Sequence, residues 1–231
     1  MNCARRLAAR QSRLLAAHGW QVLQIDLGGC GDSSGELVEA SVVQWRQDLR
    51  DAMAWLEERH DSGPIVLWGL RLGALLAVDL SRSLPGVSRL VLWQPVTDGA
   101  RFLTQFLRMA LATDFEQAGA RPEIAGLRQQ LAQRGTLEIA GYTLSAALAR
   151  EIEQLQMPAT LTTPVAWLQL GSGATLAAGS AVIVERWRAA GTPVLAECVA
   201  APPFWNAPGY DQADALMATT LRAAERASPW K

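Results

Sequence analysis

Residues 64–83 constrain this chain more than any other stretch. The run 64–68 (PIVLW) is a compact apolar segment of strand length, and 69–73 (GLRLG) follows with two glycines four residues apart. Residues 74–83 then continue as an apolar helix that stops ahead of Pro85 and Gly86. A buried strand that turns at once into a helix needs a sharp bend, and the glycine spacing leaves little space on either side of its centre. That centre is Arg71.

The rest of the chain repeats the alternation. Strands are predicted at 20–27 (WQVLQIDL), 87–96 (VSRLVLWQPV), 164–170 (PVAWLQL) and 193–199 (PVLAECV), with helices at 5–18, 44–59, 181–190 and 213–227. Between 99 and 156 the period is helical, with helices expected at 122–133 and 144–156 and one short strand at 137–142. Strands alternating with helices argue for an α/β fold with a mostly parallel sheet covered on both faces, whose sites lie beyond the carboxyl ends of the strands. The strand, G-x-R-x-G turn and helix have the spacing of the G-x-S-x-G nucleophile elbow, so the expected architecture is the α/β-hydrolase fold. Residues 1–97 and 161–231 form its expected core, and 98–160 an inserted helical cap.

Arginine at the elbow removes the usual chemistry. A guanidinium is charged at every accessible pH, offers only donors, and cannot attack a carbonyl carbon. The partners are missing too: the loop after Leu170 (GSGATLAAGS) has no carboxylate and the loop after Val199 (AAPPFWNAPG) no histidine. The two histidines, His18 and His60, end helices, where an imidazolium gains from the helix dipole and needs no catalytic role.

What the elbow offers instead is an anion site. Arg71 and the first amides of the following helix, beginning at Leu72, would favour a carboxylate, phosphate or sulfate. Around the strand ends stand Trp68, Trp93, Gln94, Trp167, Phe204 and Trp205, able to stack on a sugar ring or an acyl chain. Trp93, Gln94, Phe204 and Trp205 join Arg71 and Leu72 as the expected ligand contacts, whereas Trp68 and Trp167 are as well explained by the core. The competing reading of Arg71 is an ion pair with Asp26, Asp32 or Asp98. An enzyme with a displaced nucleophile would draw on Cys30 or Ser33 in the glycine-rich loop GGCGDSSGE, with Asp98 as acid. The simpler account of that loop is structural, its polar side chains bonding to backbone.

Composition narrows the partners. The 231 residues carry 21 basic and 22 acidic side chains, a net charge of -1 that sets up no field for nucleic acid or an anionic membrane. Cys3, Cys30 and Cys198 are far apart, so neither a disulfide framework nor a metal site is expected, and no cofactor is implied. The arginine-studded start, with Arg5, Arg6, Arg10 and Arg13, lacks the apolar stretch of a signal peptide, and no stretch is apolar for long enough to span a bilayer, so the expected location is the cytoplasm.

Four segments carry a family resemblance: residues 25–35 (IDLGGCGDSSG), the elbow WGLRLGALLA at 68–77, LVLWQPV at 90–96 and PPFW at 202–205. Together they resemble the exosortase A system-associated hydrolases of the second type, over essentially the whole chain. The resemblance implies an α/β-hydrolase fold, an arginine-centred elbow as a family feature, and a setting in bacterial exopolysaccharide export and protein sorting. With the anion site and aromatic set described above, the expected ligand is an anionic glycan or lipid-linked intermediate, with a protein partner in the export system as a further expectation. Relatives begin with further strands and a loop of HPF type ahead of the first helix, so this sequence looks short at its N-terminus.

Overall fold

The computed structural model describes residues 2–59, 63–113, 123–205 and 213–225. In chain order the elements are α1 (Asn2–Ala17), a 3-10 turn (Leu37–Glu39), α2 (Val42–Arg59), β1 (Ile65–Leu70), α3 (Leu72–Ser81) and β2 (Val87–Trp93). Then follow α4 (Gly99–Thr113), α5 (Ile124–Arg134), β3 (Thr136–Ile139), β4 (Tyr142–Ser145) and α6 (Ala146–Gln154). The chain closes with β5 (Val165–Leu170), α7 (Ala178–Ala189), β6 (Val194–Val199) and α8 (Asp214–Glu225). They group into two compact units, one of residues 1–24, 63–97 and 157–231, the other of 25–62 and 98–156.

The first unit is built on a four-stranded parallel sheet in the order β1-β2-β5-β6. Leu90 to Trp93 and Val165 to Leu168 are buried without interruption, as two central strands covered on both faces must be. Successive side chains take opposite faces. Val91, Trp93, Ala166 and Leu168 meet Leu7 of α1 and Leu216 and Ala223 of α8. On the other face Trp167 meets the ring of Trp187 from α7 edge-on, with centroids 5.9 Å apart. Arg89 of β2 is also buried, and its guanidinium donates to the carbonyls of Ala223 (2.7 Å) and Ala224 (3.2 Å), closing the carboxyl end of α8 where a cation is favoured.

The second unit packs α4 and α6 against each other so closely that Gly99 leaves no room for a side chain: a Cβ there would lie 1.6 Å from the carbonyl oxygen of Ile152. The amide of Gly99 donates to Leu155 O at 2.8 Å. Arg128 of α5 joins Glu153 of α6 in an ion pair, and Glu151 of α6 accepts the Val42 amide at the start of α2 at 2.6 Å. Leu103, Leu107, Leu127, Ile139, Leu148 and Ile152 make up its apolar interior.

Two expectations are corrected. Residues 20–27 form no strand: they are apolar enough, but none of the described strands hydrogen-bonds to them, and a strand exists only through its neighbour. The single strand expected at 137–142 is the antiparallel hairpin β3-β4, in which Thr136 pairs with Ser145 and Ile139 with Tyr142. Its two-residue turn puts Ala140 at φ 49° and Gly141 at φ 81°, the left-handed pair such a turn requires. An alanine in the first of those places carries no turn signal in sequence.

Candidate functional site

The elbow is present and strained as the glycine spacing requires. Arg71 joins β1 to α3 at φ 54° and ψ −111°, a backbone conformation that costs a non-glycine residue on the order of 1–3 kcal/mol. Tertiary bonds hold it there: its amide donates to Trp93 O (3.0 Å), and its carbonyl accepts from Ala74 (3.1 Å) and Leu75 (3.3 Å). The two glycines are not equivalent. A Cβ on Gly69 would stand 2.3 Å from Gly73 O, whereas one on Gly73 would meet nothing within 4 Å. Space is therefore denied on one side of Arg71 only, a correction to the symmetric expectation.

The Arg71 side chain is half-buried, and burial lowers its pKa from the usual arginine value. Its guanidinium lies over the Trp205 ring, 5.0 Å from the centroid, in a cation–π contact. Gln94, directly after β2, has the second unusual backbone, at φ 41°. Its amide donates to Leu168 O (2.7 Å), and its side-chain Oε1 accepts the Leu170 amide (2.6 Å).

The aromatic set is connected, but not as a stacking surface. Trp68 meets Trp93 (4.6 Å), Trp93 meets Phe204 (6.0 Å), and Phe204 meets Trp205 (5.5 Å), each pair edge to face. Trp93 and Phe204, expected as ligand contacts, are 1% and 0% exposed, and the Trp93 indole donates to Thr220 Oγ1 at 2.7 Å. Rings closed off in this way cannot touch a ligand, so their part is to brace Trp205 from behind. Leu72, the first residue of α3, and Trp205 are partly exposed. Trp68 and Trp167 keep indole N–H groups without a hydrogen bond among the described residues.

The residues of the displaced-nucleophile reading are engaged otherwise. The Ser33 hydroxyl donates to Asp26 O, and the Asp26 carboxylate accepts the Asp32 amide (2.9 Å) beside Gly31, where a Cβ would stand 2.4 Å from the carboxylate. Asp48 and the Trp45 indole bind the amide and carbonyl of Gly28 at 2.8 and 3.0 Å. Asp98 caps α4, its Oδ1 accepting the Arg101 amide at 2.8 Å while its other oxygen pairs with the Arg101 side chain at 3.1 Å. His18 pairs with Glu225 at 3.1 Å, and His60 lies outside the described residues.

Cys30 needs a lowered pKa to act as a nucleophile, and its surroundings do the opposite. Burial pushes the thiol up, and the charges of Asp26 and Asp48 push it further. A raised pKa means less thiolate at any given pH. In a protein whose other cysteines are serine, Cys30 is expected to react with monobromobimane at about pH 7.5 more slowly than a small free thiol. Labelling faster than that thiol would contradict the assignment.

Among the described residues no group of histidine, cysteine and carboxylate side chains could hold a metal ion, and no helix is long and apolar enough to cross a membrane. A family model described as Hydrolase_4, serine aminopeptidase S33, matches residues 4–169. Over 72 residues, 31% of this chain and 18% of the relative, the sequence is 31% identical to the lysophosphatidylserine lipase ABHD12 of Xenopus tropicalis. The chain thus matches less than a fifth of that protein's length. Among solved structures, tomato methylketone synthase I superposes with a TM-score of 0.56 at 15% identity, covering 96% of this chain and 91% of that one. The pyrethroid hydrolase PytH does so at 0.55 and 16% identity, covering 98% and 94%. At these identities the likeness shows the fold, which is that of the α/β hydrolases.

Proposed function

Because this chain belongs to the Hydrolase_4 (serine aminopeptidase S33) family of α/β hydrolases yet carries Arg71 at the centre of its elbow, we propose that it binds an anionic ligand there and is not a serine hydrolase. The observation that carries this reading is the position of the guanidinium. It projects from the head of α3 over the face of Trp205 at 5.0 Å, so a fixed cation, the positive end of a helix and a flat apolar surface adjoin. An acidic group on a sugar or a lipid-linked carrier matches those three features: the charge meets Arg71 and the ring or chain lies on Trp205. The resemblance to the exosortase-associated hydrolases supplies the setting, bacterial exopolysaccharide export in the cytoplasm, with an export protein as partner.

The similar proteins include a lipase and a pyrethroid hydrolase by name, which makes ester cleavage the reading to be excluded. Neither Cys30 nor Ser33 is poised for it: the thiol is pushed toward its neutral form, and the hydroxyl is already donating to a carbonyl. Isothermal titration with sulfate and with glucuronate is expected to show binding that Arg71→Met weakens by about 2 kcal/mol, the value of a hydrogen-bonded charge, or roughly thirty-fold. Cys30→Ser should leave that binding unchanged. A panel of p-nitrophenyl esters from acetate to long acyl chains should show no turnover above background. Turnover that disappears with Cys30→Ser would overturn the proposal.

A further inference from the structure

We propose that Gln94 is a positioning residue for Arg71: it holds the Trp93–Gln94 peptide as a crossbar between the ends of β1 and β5, and through that peptide keeps the guanidinium on Trp205. The inference goes beyond the anion-binding reading by naming what aims the cation, and it gives Gln94 no contact with a ligand.

Strain is the first observation. Among the described residues, three that are not glycine have positive φ: Arg71 at 54°, Gln94 at 41° and Ala140 at 49°. Ala140 belongs to the two-residue turn of the β3-β4 hairpin, which requires it. Arg71 and Gln94 are instead joined through one hydrogen-bonded rung. The Arg71 amide donates to Trp93 O at 3.0 Å, and the Gln94 amide, the other polar group of that same peptide, donates to Leu168 O at 2.7 Å. A rigid peptide plane thus ties the residue after β1 to the end of β5.

The rung needs support because it is the last one. β2 pairs with β5 as far as Trp93 with Leu168, and the chain turns off at the next residue. At φ 41° a side chain crowds its own backbone, so an unsupported residue there rotates back toward negative φ and tilts the peptide before it. The Gln94 side chain opposes that rotation. Its Oε1 accepts the Leu170 amide at 2.6 Å while its own N–H is on Leu168 O, and two attachments on either side of one φ bond fix that angle.

Arg71 depends on the rung in turn. Its φ 54° and ψ −111° match neither helix nor strand, and its carbonyl serves Ala74 and Leu75 of α3. The bond to Trp93 O is its backbone tether on the sheet side. When that bond slackens, Arg71 relaxes toward ordinary backbone angles and its side chain is turned away from the Trp205 ring, which it meets at 5.0 Å.

Arginine Nε–H resonances read the place of the guanidinium with no ligand present. A proton over an indole face is shifted upfield by the ring, so the Arg71 signal, identified by its loss in Arg71→Met, is expected apart from the other arginines. Gln94→Ala keeps the strain and loses the bond to Leu170. It should move that signal to the position of a free arginine and weaken sulfate and glucuronate alike, roughly ten-fold each. Gln94→Gly adopts φ 41° without strain and should restore the signal and most of the lost affinity. An Arg71 signal unmoved in Gln94→Ala, or moved equally in Gln94→Ala and Gln94→Gly, would overturn the inference whether or not anions bind. So would a loss of affinity confined to glucuronate, since Gln94 would then be touching the ligand. Wild-type protein that binds neither anion would remove the anion-binding reading and leave the resonance to decide this one.

Discussion

Gly69→Ala is expected to destabilise the protein by about 3 kcal/mol or more, the upper range for forcing atoms into packed backbone, while Gly73→Ala in the same motif is neutral or stabilising. The contrast comes from what each methyl would meet. At position 69 it would stand 2.3 Å from Gly73 O and 2.6 Å from the Ala74 amide nitrogen, both main-chain atoms of the first turn of α3. Neither can rotate away as a side chain could. Relief requires moving the head of α3 away from β1, which breaks the bonds from the Arg71 carbonyl to Ala74 and Leu75. At position 73 a methyl meets nothing within 4 Å, and the residue is already helical. Alanine there removes the entropy penalty of glycine in a helix, a gain of up to about 1 kcal/mol. Urea denaturation of the two variants is the measurement. Equal losses would mean that the elbow is not packed as described, and anion binding at Arg71 would lose its basis.

Gly99→Ala should be at least as damaging, with a loss of about 3 kcal/mol or more and a melting temperature lower by several degrees. The methyl would fall 1.6 Å from Ile152 O and 2.6 Å from Ile152 C, in the main chain of α6. Gly99 is also tied in place by its amide bond to Leu155 and by Asp98, which caps the same turn of α4. The whole of α4 would have to withdraw from α6, opening the contacts of Leu103 and Leu107, both fully buried. Circular dichroism melts of Gly99→Ala beside Gly126→Ala, a helical glycine with open space around it, separate this close approach from a general response to alanine. Matching melts for the two variants would argue against the α4–α6 contact.

The site was legible in part. That Arg71 occupies a bend between strand and helix, without a histidine or carboxylate in the loops that would supply a triad, follows from residue order alone. That Trp93 and Phe204 are buried braces, leaving Trp205 to meet the guanidinium, does not, because a tryptophan in a strand reads the same whether its outer face meets solvent or a helix. Gln94 stood among the expected contacts, yet its orientation depends on the Leu170 amide, 76 residues away. The Cys30 environment was not legible for the same reason: the carboxylates that raise its pKa include Asp48, brought to the loop by α2.

Taken by itself, the amino-acid order determined most of the alternation of strands and helices, the place of the elbow and the arginine at its centre. These are local matters, set by apolar period and glycine spacing. The tertiary structure alone decided which strands have neighbours, which glycine is indispensable, which aromatic rings reach the surface and which polar groups are already committed. Each of those depends on atoms brought together from distant parts of the chain, and a hydrogen bond or a steric limit has no existence until both partners are in place.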